Sequence, residues 1–190
     1  SDPSWTRKTV YAYHNPIESV KSLSAADIDG DGHMDIAAVS SEYSYSYDKV
    51  AWYKNETYNG SNSSGTYFFE RSLFENEHRY NDVAAVDMDG DGDIDLVSTS
   101  DNGDNNIRWY ENDMTATCPS CGEPAPSWTA RNISSTHNST DHMFVEDMDG
   151  DGDMDILSDD CSWYENDGAV DPTLSQNSYT CGSSSNGPFA

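Results

Sequence analysis

The stretch Ala25–Ser40 reads AADIDGDGHMDIAAVS, and its pattern returns as AVDMDGDGDIDLVSTS over Ala85–Ser100 and as VEDMDGDGDMDILSDD over Val145–Asp160. The leading aspartates, Asp27, Asp87 and Asp147, are 60 residues apart in both steps. Self-similarity at a fixed period of this size marks a repeat architecture. Each copy is followed by an aromatic segment: VAWYKNE from Val50, IRWYEND from Ile107 and CSWYEND from Cys161. Each is preceded by another: WTRKTV from Trp5, FERSLF from Phe69 and WTARNI from Trp128. The distance from the last loop Asp to the next Trp varies: 17 residues from Asp35 to Trp52, 14 from Asp95 to Trp109 and 8 from Asp155 to Trp163. Length differences are absorbed in loops, which suits blades or hairpins better than a tightly coiled solenoid.

The segments themselves are short, β-branched or aromatic, and bounded by Gly, Asn, Asp and Ser, as strands are. Alternation is visible in WTRKTV from Trp5 and in the YSYSY run, Tyr43 to Tyr47. No apolar stripe of 3.6-residue period extends over ten residues, so the chain is read as all-β. The expected organisation is tandem antiparallel β-blades in three units, over residues 1–67, 68–126 and 127–167. A Ser/Gly-rich tail, 168–190, loses the pattern and is expected to be extended, pinned through Cys181.

Within each loop, carboxylates fall at positions 1, 3, 5 and 9. These are Asp27, Asp29, Asp31 and Asp35; Asp87, Asp89, Asp91 and Asp95; and Asp147, Asp149, Asp151 and Asp155. Position 7 is His33, Asp93 or Asp153, a variation that points to the backbone carbonyl as the ligand there. Glycines at positions 4 and 6 permit the sharp turn that aims successive oxygens at one centre. An oxygen-only shell of this kind favours Ca²⁺ over Mg²⁺ or softer metals, about three ions in all. The loops are not EF-hands: position 12 is Ala38, Ser98 or Ser158 rather than Glu, and the flanks are strand-like. An acidic surface turn without metal is the plain alternative, but four like charges within nine residues repel strongly without a counter-ion.

Charge bounds the partners. Thirty-five acidic residues against nine basic ones give a formal charge of -26, and the pI is near 4.1. Nucleic acid and anionic membranes need a basic face, so neither is an expected partner. Such acidity is also compatible with disorder, but an aromatic content of 12%, with twelve Tyr and five Trp, argues for a packed core. Three bound Ca²⁺ would offset six of the excess negative charges. No apolar run is long enough to span a bilayer, and the chain opens at Ser1 without Met or a signal-peptide pattern, which we read as processing or trimming.

A secreted or cell-surface location is expected from two features. Asn-x-Ser/Thr sequons start at Asn55, Asn59, Asn62, Asn132 and Asn138. Four cysteines, Cys118, Cys121, Cys161 and Cys181, suit two disulfides. Three pairings are open, of which Cys118–Cys121 with Cys161–Cys181 is the most local. A zinc site would rest on the spacing of Cys118-Pro-Ser-Cys121, but no second C-x-x-C or matching His pair completes it.

Catalysis is not expected. His14, His33, His78, His137 and His142 show no recurrent spacing with a nucleophile, and no G-x-S-x-G, H-E-x-x-H or phosphate-binding Gly loop occurs. Trp52, Trp109 and Trp163 recur once per repeat, and core packing between blades is preferred over stacking on sugar rings. The YSYSY run reads either as a half-buried strand or as a contact surface.

The combination of D-x-D-G-D-G-x-x-D, an apolar strand and a W-Y-E-N-like strand resembles the FG-GAP/VCBS repeat family over roughly residues 5–167. Those repeats form blades of β-propellers, as in integrin α-subunit heads and some fungal lectins. The resemblance implies that each Ca²⁺ loop joins the first two strands of a four-stranded blade, and it implies adhesion or matrix roles. Propellers have four to eight blades, whereas three repeats are present, and the last unit lacks an outermost strand in the pattern. Three arrangements remain open: a section of a longer propeller, a ring of several copies, or a head-to-tail filament in which one copy's N-terminal strand completes the next copy's last blade. The expected function is an extracellular, glycosylated, calcium-stabilised scaffold for adhesion, matrix or filament assembly. Its expected partners are further copies, other extracellular proteins or glycans, and a propeller-type lectin is the second reading.

Overall fold

The computed structural model describes residues 12–13, 19–41, 48–57, 66–75, 79–101, 107–114, 126–134, 140–169 and 174–178. Every element among them is a strand. The first sheet contains β1 (Ala12–Tyr13), β2 (Val20–Ala26), β3 (Asp35–Ser40), β4 (Lys49–Thr57) and β5 (Thr66–Glu75). The second holds β6 (Tyr80–Val86), β7 (Asp95–Ser100), β8 (Ile107–Asp113) and β9 (Ser127–Ser134). The third holds β10 (Met143–Glu146), β11 (Asp155–Ser158), β12 (Ser162–Glu165) and β13 (Ser175–Ser178). Each runs as an antiparallel meander, β2 to β5, β6 to β9 and β10 to β13, with β1 added in parallel beyond β5. The Asp/Gly loop always joins the first two strands, as the repeat pattern implies.

The second strand of each sheet shows why. DIAAVS and DLVSTS combine apolar and small polar residues, and β7 is buried along its whole length. A strand sandwiched between two sheets has no solvent face to mark with charge. Register repeats as well: Ile36 lies opposite Tyr53 and Ala37 opposite Trp52; Leu96 opposite Tyr110 and Val97 opposite Trp109; Ile156 opposite Tyr164 and Leu157 opposite Trp163. A matching irregularity occurs near the start of the first strand, at Val20/Ser22 and at Tyr80/Asp82.

The cores lie between sheets. Ile28, Val39, Val50 and Trp52 of the first sheet unit pack with Tyr80, Val83, Leu96 and Tyr110 of the second. Met88, Val97, Ile107 and Trp109 pack in turn with Met143, Ile156 and Tyr164 of the third. Trp52 and Trp109 are therefore buried, as preferred from their recurrence, and neither is available to stack on a sugar, whereas Trp163 is only partly buried. Strand contacts between sheets join β2 and β3 to β6, and β6 to β10. The second sheet thus has a front face towards the third and a rear face towards the first, and the matching faces of the other two sheets are named front and rear likewise.

Two expectations are corrected. The third sheet does not lack its outer strand, because Ser175–Ser178 pairs with Ser162–Glu165 along four positions. The strand falls inside the segment expected to be an extended tail. An edge strand needs main-chain hydrogen bonds more than apolar alternation, so SQNS carries no strand signal of its own. Completion of this sheet by a neighbouring copy's N-terminal strand is correspondingly unnecessary. In addition, sheet pairing groups β5 and β9 with the loops before them, whereas the sequence units begin afresh at 68 and 127. No closed ring is formed among the described residues. WTRKTV, the YSYSY run, Asn59, Asn62, Asn138, Cys118, Cys121 and Cys181 lie outside them.

Candidate metal centre

Each loop is wrapped around its own carboxylates. The first Asp accepts from the Gly at position 6: Gly32 N–H to Asp27 at 2.8 Å, Gly92 N–H to Asp87 at 3.0 Å and Gly152 N–H to Asp147 at 3.1 Å. The N–H at position 7 turns back to the Asp at position 5, from His33 to Asp31 at 2.9 Å, from Asp93 to Asp91 at 2.8 Å and from Asp153 to Asp151 at 3.0 Å. This path requires positive φ, 87° at Gly32, 98° at Gly92 and 105° at Gly152. A Cβ added there would meet nothing within 4 Å, so the demand for Gly comes from the backbone and not from space.

The wrapping gathers oxygens. Carboxylate oxygens of Asp27, Asp29 and Asp35 lie within 4.8 Å of one another, as do those of Asp87, Asp89 and Asp95, and those of Asp147, Asp149 and Asp151. The position-7 side chains stand outside these groups. His33 folds back to Asp31, with 3.0 Å between Nδ1 and Oδ1, and Asp93 accepts from the Met114 N–H at 3.0 Å. Asp31, Asp91 and Asp155 also lie outside the tightest triads.

Position 9 has a second role that the ligand pattern does not reveal. Asp35, Asp95 and Asp155 are buried. One oxygen accepts from the backbone at position 2 and the other from the Asn of the Trp-Tyr strand. The pairs are Ile28 and Asn55 at 3.3 and 2.7 Å, Met88 and Asn112 at 3.1 and 2.7 Å, and Met148 and Asn166 at 3.1 and 2.8 Å. The Trp52 indole N–H adds a further bond to Asp35 at 2.9 Å. Burial nevertheless pushes the Asp95 carboxyl up to about 7, and it raises Asp35 as well. Burial raises Asp89 too, reinforced by the like charges of Asp91, Asp87 and Glu111. Carboxylates in such a place are stabilised by a proton or by a cation.

The Asn side chain of the same strand links loops of adjacent repeats. Asn112 Nδ2 donates to Ile94 O at 3.0 Å in its own loop and to Ile28 O at 3.1 Å in the preceding one. Asn166 Nδ2 repeats this with Met154 O at 3.2 Å and Met88 O at 2.8 Å. Asn55 Nδ2 donates to Met34 O at 2.9 Å in its own loop. Asn55 also heads a sequon, and its amide is engaged in β4; Asn132, on β9, is exposed and accepts from Arg108 Nε at 3.0 Å. The recurrence of Asn after Trp-Tyr-x was the available signal for this role.

One loop differs electrostatically. Lys54 stands where Glu111 and Glu165 stand in the other repeats. Its ammonium contacts Asp29 and reaches Asp31 Oδ2 at 3.1 Å. Burial raises Asp31, but hydrogen bonds from Lys54 and His33 outweigh it and hold the carboxyl below its ordinary value. Glu111 is held by Arg131, Nη2 to Oε2 at 2.7 Å, and Glu165 by Asn177 Nδ2 at 2.8 Å.

The residues fit a hard divalent cation. Oδ1 of Asp27 and Oδ1 of Asp29 are buried without any hydrogen-bond partner, and an acceptor in that state wants a positive ligand. Three stacked antiparallel sheets, each opened by an acidic Gly-rich hairpin loop, define a repeat-built all-β protein. Residues 27–98 and 87–158 match the model of the FG-GAP-like repeat, and the chain belongs to that family. A comparison with curated proteins found no match.

Proposed function

We propose that the chain is an extracellular scaffold whose sheets are clamped by Ca²⁺, one ion in each Asp/Gly loop. The observation that carries this reading is the position of Asp35, Asp95 and Asp155. Each is buried at the start of a second strand and ties the loop to the Trp-Tyr strand. Asp35 and Asp95 also sit within carboxylate triads. A cation there would neutralise the group that joins loop, sheet and neighbouring repeat, so binding and folding are coupled. The role is structural and not sensory, since the loops lead directly into sheets and carry no helix to swing. Catalysis forms no part of this reading.

The extracellular assignment is supported by the sequons and by the cysteines. No cysteine among the described residues is free, and Cys161 is disulfide-bonded, as expected in an oxidising compartment. Among the described residues no helix is long and apolar enough to cross a membrane. Adhesion, matrix or filament roles follow from the scaffold reading, and the glycans belong to it.

Thermal unfolding with and without metal tests the proposal. Three independent sites at a hundredfold excess of Ca²⁺ over Kd would each contribute about 2.7 kcal/mol. Chelation is expected to lower the melting temperature by many degrees, with full recovery on adding Ca²⁺. An unchanged melting curve in excess chelator would overturn the calcium clamp.

A further inference from the structure

All five exposed large hydrophobic residues among those described, Val20, Leu23, Met34, Phe144 and Met148, fall on two faces at opposite ends of the sheet stack. The repeat explains four of them, Leu23, Met34, Phe144 and Met148. Ile28 and Met88, at loop position 2, are 1% and 2% exposed under the following repeat, whereas Met148 at the same position is 48% exposed. Phe144 is 70% exposed, while its counterpart Ala84 packs against the core between the second and third sheets. On the rear side, Val83 and Met143 are buried against the preceding repeat, and their counterpart Leu23 is 60% exposed. Ile94 and Met154 pack against the core clusters at the two junctions between sheets, and Met34 is exposed.

The open regions correspond in position. The outer part of the first rear face is closed, because Ala38, Ala51, Tyr53 and Phe68 form a buried cluster of their own. What remains open is the inner strand and the loop, and Phe144 and Met148 also sit on an inner strand and a loop. Inner strands are where the internal repeats meet, β2 with β6 and β6 with β10. Those junctions are also stitched by polar groups, including Ala85 N–H to Ser24 Oγ at 3.1 Å and Met143 N–H to Asp82 Oδ2 at 3.0 Å.

We propose that the Phe144/Met148 face docks onto the Leu23/Met34 face of a second copy of this chain, continuing the packing between repeats from one molecule to the next. Front and rear are different surfaces of one molecule, so the contact is heterologous and propagates into a ring or a filament. Asn55 occupies the place of Asn112 and Asn166, and the Met148 carbonyl occupies that of Ile28 and Met88. The first amide is thus positioned to bridge copies as the others bridge repeats. The inference rests on the clamped-scaffold reading, because loop residues line both faces and an acidic chain needs its loop charge neutralised before copies approach.

The test is sedimentation velocity of the 190-residue chain in millimolar Ca²⁺ and physiological salt, over a micromolar concentration series. Wild type is expected to form concentration-dependent oligomers. Leu23→Asp and Phe144→Asp, each at an exposed position, should remain folded by circular dichroism and be monomeric. An equimolar mixture of the two variants retains one intact face of each kind and should stop at a dimer. A wild type that stays monomeric while Ca²⁺ raises its melting temperature overturns this interface but leaves the clamp standing. Assembly that survives both substitutions, or a mixture that does not dimerise, also overturns it. A melting temperature indifferent to Ca²⁺ would instead strike the underlying clamp.

Discussion

The side-chain amide of Asn112 donates to the carbonyl of Ile28, 84 residues earlier in the chain, at 3.1 Å. The same amide holds Ile94 O, so one planar group spans the loops of two repeats. Asn166 does the same one repeat later. These bonds sit beside the candidate metal clusters and couple loop closure to the packing of neighbouring sheets.

Replacing Asn112 or Asn166 by Ala is therefore expected to cost about 1–3 kcal/mol each, since buried carbonyls lose their donor. Asn55→Ala should cost less, because its amide bond to Met34 O stays within one loop and crosses no internal junction. Urea unfolding in the presence of Ca²⁺ measures the three. Equal losses at all three positions would show that the bond between repeats adds nothing.

Asp89→Asn is expected to act with opposite signs in the two metal states. Asp89 is raised by burial and by the charges of Asp91, Asp87 and Glu111, so removing its charge relieves the metal-free protein. It also removes an oxygen ligand charge from the second loop. The melting temperature in chelator should rise, while Ca²⁺ affinity of that loop falls by at least about tenfold, or ~1.4 kcal/mol. Parallel melting curves and calorimetric titrations decide the matter, and a fall in both quantities would contradict the repulsion argument.

Lys54→Glu should tighten the first loop. The Lys54 ammonium competes with a cation for Asp29 and Asp31, and the substitution restores the residue found at Glu111 and Glu165. Wild type is expected to show one weaker site of three in calorimetry, strengthened in the variant by about tenfold. Three sites unaffected by the change would mean that Lys54 swings clear on binding.

Gly92→Ala isolates the backbone requirement. The added methyl meets no atom within 4 Å, but φ at this position is 98°. The expected cost is about 1–2 kcal/mol from left-handed strain alone, accompanied by weaker Ca²⁺ binding at the second loop. A neutral substitution in urea unfolding would imply that the loop relaxes to negative φ without consequence.

The loops were the most legible part of the molecule. Asp and Gly at fixed positions state both the ligands and the turn, because the interactions run over a few residues, such as Gly92 to Asp87. Residues of the Trp-Tyr strands were legible as core because the aromatic pair recurs with the loop. The fourth strand of the last sheet was not legible. Ser175–Ser178 pairs through its backbone, and its side chains carry no apolar pattern to betray it.

The sequence by itself determined a three-fold repeat of all-β units with an acidic Gly-rich loop in each, since these features depend on local spacing and chemistry. Only the tertiary structure decided what each position faces. Ile28, Met88 and Met148 are alike in the sequence, yet two are buried and the third is exposed. Burial at this position depends on whether another sheet follows, and the second hydrogen bond of each Asn on whether one precedes. Those are relations between repeats 60 residues apart, and no local pattern contains them.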